Sequence, residues 1–293
     1  MRYRDALKQG IDRINKNYQL LFVQIGALII TFFLFILVVG VPLIIVFTKT
    51  GIEFPENGFK GLTELIFKEG GLSAYLSIVI TVILSLSLYI IIASTIFIYA
   101  IAGTSGVIMY SISGRENYSW RLFTGLGRKL FKRFLLLSIL GLLMLIMISF
   151  LAGLFSGLTK VGTSISGGLL RDFLRNFLNL LSILISLGAV IFFMAIFTYA
   201  AGFMILKEEK TLAALKDSFD FVIGRPDALV FYSLLSIGAI ILTISFGFLG
   251  TFFKSLSGLA LYQLILSIIQ IYINLSVLSS AFVYLYDRAT GQR

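Results

Sequence analysis

Four polar side chains recur in the last apolar stretch of the chain, at a spacing that places them on one face of a helix. They are Gln263, Ser267, Gln270 and Asn274, separated by 4, 3 and 4 residues. Steps of three and four residues return to the same side of a helix. In hydrocarbon such groups need partners, so this face predicts hydrogen bonds to a neighbouring helix or a passage lined by neutral polar groups. The residues leave both interpretations open.

Two carboxylates offer a second candidate site. Glu53 and Glu56 follow the first apolar stretch, in the longest loop that we predict. In a symmetric oligomer built around a central opening they would form a ring that concentrates cations. Solvated loop charges are the simpler alternative. We therefore treat the two residues as a candidate external mouth.

The remaining composition argues against catalysis. The chain has no cysteine and no histidine, which removes thiolate nucleophiles and the commonest ligands of zinc and haem. All 14 acidic residues fall outside the apolar stretches. Acid–base pairs and metal clusters need such groups close together, and ion-coupled carriers commonly place them within the membrane. We predict no enzymatic activity, no metal and no cofactor, and consider a coupled transporter disfavoured.

The apolar stretches that carry these groups are those of an integral membrane protein. Hydrophobic residues make up 58% of the chain and charged residues 13%, with a mean hydropathy of +1.01. A membrane-spanning helix needs about 20 apolar residues, and six stretches qualify. They are residues 20–47, 74–101, 134–155, 178–206, 228–249 and 259–286. Because the runs do not alternate as barrel strands do, we predict an all-α membrane protein with six transmembrane helices.

The second stretch continues without charge from Ala74 to Tyr110. A helix of that length cannot cross a bilayer upright, so it must tilt, break or protrude. We expect a break or bend near Gly103.

Charge distribution predicts the orientation. Of the 24 lysines and arginines, 17 lie in the N-terminal segment, the loops after the second and fourth stretches, and the tail. Cytoplasmic segments carry the excess of positive charge, so we expect both termini in the cytoplasm and the protein in the plasma membrane. The net charge of +10 then reflects this bias and attraction to anionic headgroups, and we predict no nucleic-acid partner.

Amphipathic segments precede three of the predicted spans. In TLAALKDSFDFVIGRPDAL, residues 211–229, the apolar positions share one helical face, Gly224 can end the helix, and Pro226 can begin the next. The N-terminal segment is similar: Ala6, Leu7, Lys8 and Asp12 align with Ala214, Leu215, Lys216 and Asp220. A third segment, SWRLFTGLGRKLFKRF, would form another helix at the membrane surface.

These segments suggest an internal repeat of surface helix, span, loop and span. We predict one transmembrane domain of three units, approximately residues 1–110, 111–206 and 207–293. The alternative is that basic amphipathic loops are common in six-span proteins and that the matching lengths are coincidental.

Two segments of the chain share a pattern of residues, ALKDSFDFVIGRPDALVFYSLL and ALKQGIDRINKNYQLLFVQIGAL. This pattern resembles that of the six-span prokaryotic proteins grouped with the membrane domain of glycerophosphodiester phosphodiesterases and its uncharacterised relatives. The resemblance implies a helical membrane module. In that family the phosphodiester chemistry belongs to a separate soluble domain with acidic and histidine residues. This chain contains no such domain and no histidine, so the resemblance implies no catalytic activity here.

Two functional hypotheses follow. The first is a non-enzymatic passage for ions or small solutes, formed by a homo-oligomer and lined by Gln263, Gln270 and Asn274. The second is a structural or lipid-associated membrane module without transport activity, whose amphipathic helices hold the bilayer or a partner protein.

Overall fold

The computed structural model describes residues 1–50, 71–115, 117–164, 169–250 and 256–291. The described residues are 93% helical, and none of them lies in a strand. The helices are α1 Tyr3–Lys16, α2 Gln19–Phe35, a π-helical segment Ile36–Gly40, α3 Val41–Thr50, α4 Gly71–Ile112, α5 Trp120–Ser164, α6 Leu169–Leu206, α7 Thr211–Gly224, α8 Pro226–Leu249 and α9 Leu256–Thr290.

Six helical stretches among the described residues are long and apolar enough to cross a membrane. They are Gln19–Lys49, Leu76–Ile112, Trp120–Leu154, Asn176–Leu206, Pro226–Leu249 and Tyr262–Thr290. The prediction of an all-α membrane protein with six spans is confirmed.

Before the first and fifth spans, an elbow separates the surface helix from the span that follows it, as the sequence predicted. Helix α7 ends at Gly224 and α8 begins at Pro226, with only Arg225 between them. Helix α1 ends at Lys16 and α2 begins at Gln19. Proline is well suited to the first turn of a helix because its missing N–H would have no intrahelical partner there.

Two predicted interruptions are wrong. Residues 120–134 do not form a separate surface helix, because α5 runs without a break from Trp120 to Ser164. This segment contains no proline, and its Leu, Lys and Arg residues favour a helix that continues through Gly125 and Gly127. Helix α4 is likewise continuous through Gly103, so the predicted break there is wrong, whereas a bend stays a prediction. That glycine instead makes room for Phe123: a Cβ at Gly103 would lie 2.5 Å from Phe123 Cε2.

The chain divides into two compact units, Phe22–Ala100 and a larger unit formed by Met1–Leu21 with Ile101–Arg293. In the smaller unit the rings of Phe35 and Tyr89 meet edge to face at 5.2 Å. The predicted single domain of three repeat units stays a prediction.

The core of the larger unit lies at one end of its helices. Continuous buried runs occupy residues 102–109 of α4, 199–205 of α6 and 279–285 of α9. Elsewhere along the spans many large apolar side chains are exposed, including Leu142, Leu180 and Ile244, as expected of helices surrounded by lipid.

We call the packed region the charged end: it comprises α1, α7, residues 120–133 of α5, and the ends of α4, α6 and α9 that contact them.

Each of the three amphipathic segments packs at the charged end on a different span. Helix α1 packs on α9, with Gly10 directly against Ser280. The start of α5 packs on α4 through Phe123. Helix α7 packs on α6, where Ser218 Oγ donates a hydrogen bond to the carbonyl of Ile196 at 2.6 Å. Small side chains at these contacts allow the helix backbones to approach closely.

Helices α1 and α7 bury equivalent positions. Counting 208 residues along the chain from each buried position of α1 reaches a buried position of α7. The pairs are Ala6 and Ala214, Gly10 and Ser218, and Ile14 and Val222. The same face of each helix therefore packs against a span.

Candidate functional site

The polar face of α9 lies on the surface of the described chain. Gln263, Gln270 and Asn274 are exposed, and Ser267 is half-buried. Ser267 Oγ donates a hydrogen bond to the carbonyl of Gln263 at 2.8 Å, so this hydroxyl is satisfied within its own helix. The amides point outward from the chain, and their role in a passage stays a prediction. Glu53 and Glu56 lie outside the described residues.

The first turns of α5 present an amphipathic, strongly basic surface. Phe123, Leu126 and Leu130 are buried, whereas the exposed residues of the same segment are mostly cationic. These are Trp120, Arg121, Gly125, Arg128, Lys129 and Lys132. Trp120 is 64% exposed, and its ring stacks on that of Phe123 at 5.6 Å. A tryptophan beside cations is typical of the membrane–water interface.

Acidic residues near this surface are held in ion pairs. Lys129 Nζ lies 3.0 Å from Glu208 Oε1, and its hydrogen bond lowers the pKa of Glu208. Lys207 donates to Asp217 and lies 3.7 Å from Glu209. The hydrogen bond to Asp217 raises the pKa of Lys207. Two lysines thus offset part of the charge of three carboxylates, and the remaining cations leave the described part of this surface with an excess of positive charge.

Three of those cations take no part in the pairing. Within the ranges that the structure covers, Arg121, Arg128 and Lys132 belong to no ion pair. Arg133, the next residue, is half-buried, and its guanidinium donates to the carbonyl of Met204 at 3.5 Å. Exposed guanidinium and ammonium groups of this kind suit phosphate oxygens.

Asp227 joins three helices at the charged end. Its Oδ2 accepts hydrogen bonds from the hydroxyl of Tyr284 and, at 3.2 Å, from Arg288. Its carbonyl accepts one from the hydroxyl of Tyr3 at 3.0 Å. Asp227 also lies in the first turn of α8, where the helix dipole favours a carboxylate. The Tyr284 and Arg288 contacts were not predicted, because they depend on how α9 packs.

A cavity of about 470 Å³ opens beside the charged end, which is within the range of about 300 to 1,000 Å³ typical of ligand sites. Helices α5 and α6 form most of its wall, and α4 and α9 complete it. The wall is largely apolar, and its hydroxyl groups belong to Ser105, Ser138 and Thr198. Gly141 lies in the wall, where a Cβ would be 3.7 Å from Phe197. Sequence reasoning missed this site because its residues come from four helices.

No protein-family model matches the chain, and no curated protein does. The resemblance to the membrane domain of the phosphodiesterases therefore stays a prediction. In the described part of the chain, acidic side chains do not gather in threes as a metal site requires. The predicted lack of a metal, a cofactor and enzymatic activity also stays a prediction.

Proposed function

We propose that the protein is a non-enzymatic multipass module of the cell membrane that binds anionic phospholipid headgroups at its charged end, which faces the cytoplasm. One observation carries this proposal: Arg121, Arg128 and Lys132 are exposed on the helical segment that begins at Trp120 and take part in no ion pair among the described residues, whereas Glu208 and Asp217 are paired with lysines. The excess of Lys and Arg in the segments of this end supports the orientation.

The energetics favour such binding. Each Lys or Arg close to an anionic membrane surface contributes about 1 kcal/mol, roughly a fivefold change in affinity. Arginine can also bind phosphate oxygens through two parallel hydrogen bonds. Three cations on one helical segment therefore give a strong preference for anionic over zwitterionic lipid.

The length of α5 supports its placement at the headgroups. Its 45 residues extend about 68 Å at 1.5 Å per residue, whereas the hydrocarbon core is about 30 Å thick. The helix must therefore extend beyond the core. Its basic first turns are the part that matches the chemistry of the interface.

Trp120 is the single tryptophan of the chain, so tryptophan fluorescence reports on lipid bound at this surface. The protein is reconstituted with brominated phosphatidylglycerol or brominated phosphatidylcholine, and quenching of Trp120 fluorescence gives the relative affinity of each lipid for this surface. The triple variant Arg121→Gln/Arg128→Gln/Lys132→Gln should lose most of the preference for the anionic lipid.

The matched control is Arg4→Gln/Lys8→Gln/Lys16→Gln on α1, which removes the same charge from other exposed positions. It should leave the preference at Trp120 largely unchanged. Equal preference for the two lipids in the parent protein would overturn the proposal.

A second candidate function is a passage for ions or small solutes within a homo-oligomer. The observation that favours it is the exposure of Gln263, Gln270 and Asn274 on the span Tyr262–Thr290. Amides on a lipid-facing surface are costly, so water or a second copy of the chain would satisfy them better than lipid.

Flux through reconstituted vesicles tests this candidate. Gln270→Leu/Asn274→Leu should abolish flux if these amides line the path, whereas Leu264→Val on the same helix should not. Absence of flux in the parent protein, or flux unchanged in the double variant, would discard it.

The equivalent burial in α1 and α7 supports the repeat for the first and third predicted units. In this proposal each surface helix attaches one unit to a span of another. The middle unit performs the same attachment with the first turns of α5.

A further inference from the structure

Three amide side chains of α9 are exposed at the depth of the membrane. Gln263, Gln270 and Asn274 belong to the span Tyr262–Thr290, and they precede the run 279–285 that is buried in the charged end. From the first amide to the last is about 17 Å at 1.5 Å per residue, more than half of a hydrocarbon core about 30 Å thick. The row therefore lies within the hydrocarbon and extends along much of it.

These amides lack partners within the chain. In the part of the chain that the structure describes, none of the three side chains makes a hydrogen bond. Tyr272, on another side of the same helix, does have a partner, because its hydroxyl donates to Asn15 Oδ1 at 2.9 Å. An amide in hydrocarbon without hydrogen bonds is costly. The face therefore needs an occupant that can both donate and accept.

The spacing of the row is that of a contact between two helices. Its members, separated by 4, 3 and 4 residues, are Gln263, Ser267, Gln270 and Asn274. Steps of three and four alternate in the same way between the inward positions of a heptad repeat, which keep contact with one partner helix. Ser267 allows close approach because it is small and its hydroxyl is already bonded to the carbonyl of Gln263.

An amide is complementary to a second amide. Its oxygen accepts hydrogen bonds and its nitrogen donates them, so two identical side chains that face each other can exchange a pair of N–H···O bonds. An asparagine at an inward position of a coiled coil specifies the register of the helices. The amides of α9 offer the same chemistry at three levels of one helix.

The membrane gives two copies of the chain the same orientation. The excess of Lys and Arg in the segments of the charged end orients every copy in the same way. Helix α9 of one copy is therefore parallel to α9 of another. A two-fold axis along the membrane normal then brings each amide of the row opposite the same amide of the second copy.

From these observations we propose that the amide face of α9 is a dimer interface, occupied by α9 of a second copy that lies parallel to it and in register. The pairing satisfies the amides and removes them from lipid. It differs from the candidate passage on the same face, because a passage needs a ring of copies with water between them, whereas in a pair the amides meet directly. The inference does not rest on headgroup binding, which is measured separately at Trp120.

Disulfide formation between copies tests the geometry. The chain has no cysteine, so one introduced cysteine reports on one position. In vesicles under mild oxidation, full-length Ser267→Cys should cross-link to a second copy at least about tenfold faster than Ile265→Cys, because a disulfide requires close approach. Ile265 is exposed on the same helix, but its side chain is turned about 200° away from that of Ser267.

Counting the copies tests the role of the amides. Single-molecule photobleaching of the labelled protein in vesicles should show two steps for the parent. Gln270→Leu/Asn274→Leu should shift the equilibrium towards monomer at least about tenfold, because leucine suits lipid and forms no hydrogen bond. Gln270→Asn/Asn274→Gln retains both amides and should remain largely dimeric. The control, Ile240→Ala/Ile244→Ala at exposed apolar positions of α8, should not change the equilibrium.

Other occupants of the face give different results. A single bleaching step in the parent would overturn the inference, because lipid or a different protein would then cover the amides. Three or more steps would also overturn it and favour the passage. Equal cross-linking at the two cysteine positions, or a dimer unaffected by the double leucine variant, would place the contact elsewhere and overturn it as well. Thermal unfolding checks that the double variant is folded, and Ser267→Cys, which exchanges oxygen for sulfur, tests the inference if it is not.

Discussion

Asn17 Nδ2 donates a hydrogen bond to Ser111 Oγ at 3.1 Å, across 94 residues of the chain. Asn17 is completely buried, and its Nδ2 also donates to the carbonyl of Arg13 at 2.8 Å. Its Oδ1 accepts from the backbone N–H of Tyr118 at 2.7 Å. One amide at the elbow between α1 and α2 thus joins the end of α4 to the segment before α5.

Replacing Asn17 by alanine should destabilise the charged end. The change removes all three hydrogen bonds and leaves the N–H of Tyr118 without its acceptor, at a cost of about 1–3 kcal/mol. Thermal unfolding in detergent micelles measures the loss. Asn15→Ala is the control, because Asn15 is exposed and accepts one hydrogen bond, from Tyr272. Equal losses in the two variants would contradict the role of Asn17.

Gly103→Ala tests the contact between α4 and the start of α5. The new Cβ would lie 2.5 Å from the ring of Phe123, so the ring or the helices must move. Overpacking of this kind costs about 1–3 kcal/mol. Gly188→Ala, with no atom within 4 Å of the new Cβ, should be neutral or slightly stabilising. If both variants unfold at the parent temperature, the close packing is wrong.

Asp227→Ala removes the acceptor shared by Tyr284 and Arg288. Hydrogen bonds to a charged group contribute about 1.5–3 kcal/mol, so we expect a clear fall in the unfolding temperature. The exposed Asp220 of α7 supplies the control, and Asp220→Ala should have little effect. A fall of the same size in the control would show that charge alone accounts for the change.

The pair between Lys129 and Glu208 should respond to pH. Lys129 lowers the pKa of Glu208, so any stability from the pair is present above the unfolded-state pKa. It is lost as the pH falls through the lower folded-state pKa. Lys129→Gln should raise the pKa of Glu208 towards its ordinary value, as followed by NMR of the labelled carboxyl group. Lys132→Gln should change it less; an unchanged pKa in Lys129→Gln would refute the pairing.

The sequence predicted the features that depend on composition or on residues that locally end and begin helices. Unbroken apolar runs indicate the spans, and Gly224 and Pro226 mark an elbow that needs no distant partner. The same reasoning failed at Gly103 because a glycine within a helix can serve either flexibility or close packing. It was the ring of Phe123, on another helix, that decided between them.

Features that depend on long-range packing could not be predicted. In the sequence, Asn17 is an ordinary polar residue. Its structural role depends on Ser111 and Tyr118, which lie beside it only in the folded chain. For the same reason, the polar spacing on α9 identified a face but not its partner.

The salt dependence of lipid quenching at Trp120 tests the central claim most directly. For the parent protein at about 20 mM salt, we predict that brominated phosphatidylglycerol binds beside Trp120 at least about fivefold more tightly than brominated phosphatidylcholine. Because salt screens exposed charges, this ratio should approach one at about 500 mM salt. A ratio near one at both salt concentrations would contradict the account.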